Sequence, residues 1–258
     1  MTQGPVPVQP PLKAAAFFDF DKTLFHGDSG VLFGRSLGGW AIEDARRRRN
    51  FLRRWIRYGY ILSLALGVLV QEAVIRTLYK LGLLKRSTLV ALGYRFFRGL
   101  PAKEMYARME AYVHEALKHR IYPEMLERIQ RHREAGQPVI IVTTGLKSLV
   151  EHFKHYVGED VEVIGCEMKE ENGIWAGRVV GPLYGVHKRV AIEAYAEEHG
   201  IDLSASFAYS DHWSDVPFLE AVGNPVVVNP KGRLRRLARQ RGWAILEPAN
   251  PVKARATA

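Results

Sequence analysis

Between Val139 and Leu246 short apolar runs alternate with helical stretches, and that alternation leaves the chain few folds to choose from. Val139 to Val142, Val161 to Gly165, Phe207 to Tyr209, Pro225 to Val228 and Trp243 to Leu246 read as strands. These runs are largely apolar, so both faces of each strand need covering. Leu146 to Val157, Val190 to His199 closed by Gly200, and Arg233 to Arg241 read as the helices between them. That order predicts an α/β fold: a parallel sheet with helices packed on both faces. Asn172-Gly173, within Cys166 to Arg178, is the turn signal of a hairpin between short strands.

A further strand, Ala14 to Phe18, precedes this region and stops at Asp19-Phe20-Asp21-Lys22-Thr23. On an extended backbone Asp19, Asp21 and Thr23 would share one face. They would converge at the carboxyl end of the strand, where open α/β sheets bind their ligands. Two acids beside a buried strand repel each other and lose solvation, and a hard divalent cation such as Mg²⁺ relieves both costs. Solvated aspartates in a strand-end turn are the alternative.

The block from Val31 to Lys118 has helical character and almost no strand signal. It leaves the sheet beside the acids and returns before Pro138, so residues 31–119 read as an inserted helical cap. The core is then discontinuous, 14–30 plus 120–248. Residues 1–13 read as a disordered leader and 249–258 as a frayed tail. Pro101 to Lys118 carries Met105, Met109, Tyr112, Val113 and Leu117 at helical spacing. Pro123 opens the next helix, which ends at Ala135-Gly136.

Within the cap, Arg46 to Arg49 is an unbroken arginine run, and Arg53, Arg54 and Arg57 follow among Phe51, Leu52, Trp55 and Ile56. The apolar run Tyr58 to Val70 is too short to cross a bilayer, which takes about 20 residues. A buried helix of the cap, an interfacial helix on anionic headgroups, and a nucleic-acid-binding helix are the readings of this segment. No nucleic-acid module is visible, which disfavours the last. A formal charge of +10 and a pI near 9.7 point to acidic partners, phosphate esters and anionic lipid among them. The single Cys166 excludes an internal disulfide and fits a reducing, cytoplasmic setting, with peripheral membrane contact through Arg46–Arg57 as the variant reading.

Four clusters should meet at one sheet edge: Asp19/Asp21/Thr23, Thr143/Thr144/Gly145, Lys188, and Asp211 with Asp215. Singly each has an ordinary explanation. Thr143 could cap a helix, and Asp211 and Asp215 could be solvated loop acids. Lys188 falls at a helix start, where the dipole disfavours a cation, so an anion nearby accounts for it better. Jointly the four supply what phosphoryl transfer needs. A carboxylate can attack phosphorus, a metal, a lysine and hydroxyl or N–H donors can hold the equatorial oxygens, and a second carboxyl can move the proton.

The order and spacing of these motifs resemble the haloacid-dehalogenase-like phosphatase superfamily, in its phosphoserine-phosphatase-like branch. The likeness runs from Ala14 to Leu246 and includes the Asn172-Gly173 hairpin before Lys188 and the ending Val226-Val227-Val228-Asn229-Pro230…Gly242-Trp243. It implies a Rossmann-like core with a helical cap after the first strand, and a Mg²⁺-dependent phosphatase acting on a small phosphorylated substrate. By the same likeness Asp19 is the nucleophile and a metal ligand, and Asp21 is the general acid/base with its carbonyl on the metal. Thr143 binds the phosphoryl group with backbone N–H groups near Thr144 and Gly145, and Lys188 neutralises phosphate and nucleophile. Asp211 ligates Mg²⁺, and Asp215 holds either the metal's water shell or Lys188. Thr23 shapes the loop. Phosphoserine phosphatases carry glutamate where this chain has Asp28, one methylene shorter, which argues against committing to phosphoserine. Asp28, Arg53 and Arg54 are the candidates for contacting the rest of the substrate, a lipid phosphate being one option.

Overall fold

A computed structural model of the protein describes residues 13–47, 77, 93–95, 97–181 and 184–252, with the side chains of 41–47 excepted. Strands run over β1 (Ala16–Phe18), β2 (Val139–Leu146), β3 (Glu162–Glu171), β4 (Ile174–Val180), β5 (Phe207–Ser210), β6 (Asn224–Val228) and β7 (Ala244–Leu246). Helices run over α1 (Ser29–Arg47), α2 (Ala102–Tyr112), α3 (Pro123–Glu134), α4 (Lys147–Glu151), α5 (Lys154–Val157), α6 (Val186–His199), α7 (Val216–Leu219) and α8 (Gly232–Arg241).

The strands form one sheet in the order β4-β3-β2-β1-β5-β6-β7. Every neighbouring pair is parallel except β3 and β4, the Asn172-Gly173 hairpin. β1 lies between β2 and β5, where the succession of strands changes direction, and ligands of open α/β sheets bind at such a switch point.

Period-2 geometry explains why both faces are apolar. Ala15, Phe17, Ile140, Val142, Ala208 and Val227 pack on one side with Ile192 of α6, Phe218 of α7 and Leu234 of α8. Ala16, Phe18, Ile141, Tyr209, Val226 and Val228 belong to the opposite core with Met109 of α2, Ile129 of α3 and Phe153. Phe18 and Tyr209 stack face to face across β1 and β5, with ring centroids 4.3 Å apart. The central strands β1, β2, β5 and β6 are thus pinned by cores above and below, which holds their carboxyl ends still.

Several boundaries differ from the sequence reading for identifiable reasons. β1 starts at Ala16, not Ala14, and α6 starts at Val186, a turn before Val190. β2 continues through Thr143-Thr144-Gly145 to Leu146, and the expected helix from Leu146 to Val157 breaks into α4 and α5 around Phe153. Phe153 is wholly buried against Phe20, so packing overrides helical continuity there. β3 runs straight through Cys166 to the hairpin as a single ten-residue strand. The helix expected over 101–118 is α-helical to Tyr112, passes through a π turn at Val113–Leu117, and ends in a 3₁₀ turn at Lys118–Arg120. The first part of the expected tail is docked: the Ala249 N–H donates to Glu124 Oε1 at 3.1 Å, and Asn250 lies 3.3 Å from His26 Nε2. Lys13, placed in the leader, pairs with the loop after α6 through Gly200 and Asp202. The leader before it, the apolar run 58–70 and the end of the tail lie outside the described residues. Among the described residues no helix is long and apolar enough to cross a membrane.

Candidate active site

Asp19 follows β1 directly, and its N–H still donates to the Tyr209 carbonyl of β5 at 2.9 Å. The chain then turns sharply. Thr23 N–H and Leu24 N–H both donate to the Phe20 carbonyl, at 3.3 and 3.0 Å, and Lys22 takes φ +61°. This turn, not the extended run the spacing suggested, brings Thr23 Oγ1 to Asp19 Oδ2 at 3.0 Å. Asp21 is held from the other side: its Oδ1 accepts the Ser29 N–H at 2.8 Å, at the start of α1.

Lys188 reaches the same point from α6. Its ammonium is buried to 1% exposure and donates to Asp19 Oδ1 in a short contact and to Asp215 Oδ2 at 2.9 Å. The start of α6 can approach this closely because Gly185 has no side chain: a Cβ there would fall 2.1 Å from the Ser214 carbonyl oxygen. Asp215 also accepts from Ser210 Oγ at 2.8 Å and Ser214 Oγ at 3.2 Å. Of its two expected roles, the geometry displays the one on Lys188.

The charges press on one another in a buried site. Burial opposes the positive charge on Lys188, yet Asp19 and Asp215 together hold its ammonium above the ordinary lysine range. Burial likewise opposes charge on Asp215, but Lys188 wins and holds that carboxyl below the usual range. Asp19 moves up, because burial outweighs Lys188 and Asp215 repels it. Asp21 is pushed up to about 8 by burial and by Asp28, against the pull of Ser29. Asp211 is pushed up to about 7 by burial and by Asp19.

Thr143, 1% exposed, opens the stretch between Val142 and Leu146 over which the β2–β3 register shifts. Its Oγ1 accepts the Gly145 N–H at 2.9 Å. Leu146 occupies the cap position of α4 with no side-chain bond, so Thr143 is not that helix's cap.

Asp28 caps α1, its Oδ1 accepting the Val31 N–H at 3.2 Å, and its other oxygen lies 3.6 Å from Lys22 Nζ. Arg53 and Arg54 lie outside the described residues, as does most of the Arg46–Arg57 segment. Sequence reasoning did not assign Ser29, Ser210, Ser214 or Tyr94. Ser210 and Ser214 flank Asp211 and Asp215 in the motif and could have been found there. Tyr94, whose hydroxyl donates to the Thr144 carbonyl at 3.1 Å, had no local signal.

The donor set suits a hard cation. Asp19 and Asp211 are carboxylates, and the Asp21 carbonyl is a third oxygen close in sequence. Among the described residues no three His, Cys, Asp or Glu side chains make a ready metal cage. Mg²⁺ does not require one, since it keeps several waters and takes one or two carboxylates.

A buried aspartate at the switch point of a mainly parallel sheet, salt-bridged to a lysine from a neighbouring helix, defines an α/β protein with a paired acid and base at its ligand-binding edge. The profile of haloacid dehalogenase-like hydrolases matches residues 16–220, and the chain belongs to that family, in its phosphoserine-phosphatase-like branch. It is 36% identical over 92% of its length to 72% of phosphoserine phosphatase SerB1 of Mycobacterium tuberculosis. Among solved structures, a protein of unknown function from Bordetella pertussis Tohama I superposes with a TM-score of 0.74 at 22% identity, covering 91% of this chain and 98% of that one. A substrate-bound phosphoserine phosphatase complex gives 0.64 at 17% identity, covering 95% and 97%. These two likenesses concern the fold. With its family the chain is an enzyme, a phosphatase.

Proposed function

We propose that the protein is a Mg²⁺-dependent phosphomonoesterase working through a phosphoryl group carried on Asp19. The observation that supports this best is the buried Asp19 carboxylate, gripped by Lys188 on one oxygen and Thr23 on the other. That grip orients the acid for in-line attack while Lys188 limits repulsion from the incoming phosphate.

In the first step an Asp19 oxygen bonds to phosphorus and the bond from phosphorus to the ester oxygen breaks. Asp21, protonated near neutrality by its burial, gives its proton to the departing alkoxide. In the second step Asp21 takes a proton from water as that water's oxygen attacks phosphorus. The Asp19–phosphorus bond breaks, releasing inorganic phosphate and restoring the carboxylate. Thr143 and the loop after it would hold the phosphoryl oxygens, and Asp215 would keep Lys188 aimed at Asp19. Asp19, Asp211 and the Asp21 carbonyl would hold Mg²⁺, which when bound supplies charge neutralisation at the transferring group.

The substrate is a small phosphate monoester. The 36%-identical relative is named a phosphoserine phosphatase, and phosphoserine heads the esters to screen. Hydrolysis of p-nitrophenyl phosphate with Mg²⁺ tests the chemistry. Wild type should turn over, and Asp19→Asn should lose activity by at least about a thousandfold while keeping its fold. Full activity in Asp19→Asn would refute the covalent route. Adding an alcohol acceptor and analysing products separates hydrolysis from phosphotransfer.

A further inference from the structure

The Thr144–Gly145 peptide unit is held at both ends. Its N–H, from Gly145, donates to Thr143 Oγ1 at 2.9 Å. Its carbonyl, from Thr144, accepts the Tyr94 hydroxyl at 3.1 Å. The first bond is local to the loop, but the second comes from the inserted helical segment, 50 residues away in sequence. The loop has a reason to need an outside partner. The β2–β3 ladder loses register between Val142 and Leu146, so the sheet does not fix the peptides in between.

Tyr94 itself is placed from the far side. The Phe97 N–H donates to the Tyr94 carbonyl at 3.1 Å, and the Phe97 ring packs edge-on against Trp175 of β4. Around Trp175 the returning chain is bonded to the hairpin three times. Gly99 N–H donates to the Trp175 carbonyl, Trp175 N–H to the Leu100 carbonyl and Ala102 N–H to the Gly173 carbonyl, each at 2.9 Å. The phenol is therefore carried by a segment clamped to the hairpin.

We propose that Tyr94 is a positioning residue: its hydroxyl fixes the orientation of the Thr144–Gly145 peptide and so aims Thr143 and the loop amides at the phosphoryl group. A hydrogen bond on a carbonyl also polarises its peptide and strengthens the N–H at the other end. The effect acts on the phosphoryl group, which every substrate shares, and not on the leaving group. This rests on the phosphatase reading of the site.

The test is Tyr94→Phe in the full chain, which keeps the ring and removes only the hydroxyl. Competitive inhibition by inorganic phosphate reads the loop directly. The inhibition constant should rise about three- to tenfold, the range one hydrogen bond of this kind spans. The kcat/KM should fall by a similar factor for p-nitrophenyl phosphate and for phosphoserine alike. A phosphate inhibition constant equal to wild type would overturn the proposal, whatever happens to the melting temperature. So would a loss confined to a single ester, since that places Tyr94 on the leaving group. Wild type inert toward phosphate esters would instead sink the phosphatase reading, a result distinct from either.

Discussion

Lys188 shows how a residue poorly suited to its local environment becomes necessary to its tertiary one. Three residues into a helix and 1% exposed, it is unfavourable by helix dipole and by desolvation alike. Asp19 and Asp215 reverse that balance. Replacing Lys188 with Met leaves two buried acids facing each other without a cation. The expected loss is roughly 3–5 kcal/mol of stability, as for breaking a buried ion pair, together with near-complete loss of activity. Urea unfolding at pH 7.5 in EDTA checks the first part, and a midpoint unchanged from wild type would contradict it. Ser210→Ala is milder, removing one of the donors on Asp215 Oδ2. It should cost about 1–2 kcal/mol in the same assay and lower kcat more than it raises KM.

At the scale of elements, the site depends on how closely α6 can approach the turn after β5. Gly185 makes that approach possible, since a methyl group there would sit 2.1 Å from the Ser214 carbonyl. Gly185→Ala should force the start of α6 away from the turn and pull Lys188 off Asp215. We expect a destabilisation of about 2 kcal/mol or more and a drop in kcat of at least tenfold, measured by thermal melting and steady-state assay. A fully active, equally stable variant would show that the helix start tolerates displacement. The β3–β4 hairpin plays a matching part on the opposite flank, where its tip bonds the chain returning from the inserted segment.

For the whole molecule, the acids gathered at the switch point make stability depend on pH and on metal. Asp21 and Asp211 have folded pKa values of about 8 and about 7, both above their unfolded values. Between pH 8 and 6.5 the folded state therefore binds more protons than the unfolded state, and stability rises as pH falls. Below that window His132, held low by burial, titrates in the opposite sense. In EDTA the melting temperature should climb as pH is lowered from 8 to 6.5. With millimolar Mg²⁺ it should be higher at pH 8 and rise less steeply, because the cation takes the proton's place at Asp211 while Asp21 still titrates. A metal-free melting temperature that falls over the same interval would contradict this account.

The alternating apolar runs and the Asn172-Gly173 turn were enough to specify a parallel α/β sheet with one hairpin, because burial on both faces leaves a mark in residue type. Which residues to nominate, Asp19, Thr143, Lys188 and Asp211, was likewise legible, because phosphoryl transfer calls on acids, a lysine and a hydroxyl. How they meet was not. The turn at Lys22, the bond from Thr23 to Asp19 that it makes possible and the reach of Tyr94 to Thr144 join residues up to 50 positions apart or depend on a backbone bend. Such contacts follow from how packed elements sit against one another, and a linear pattern carries no record of that.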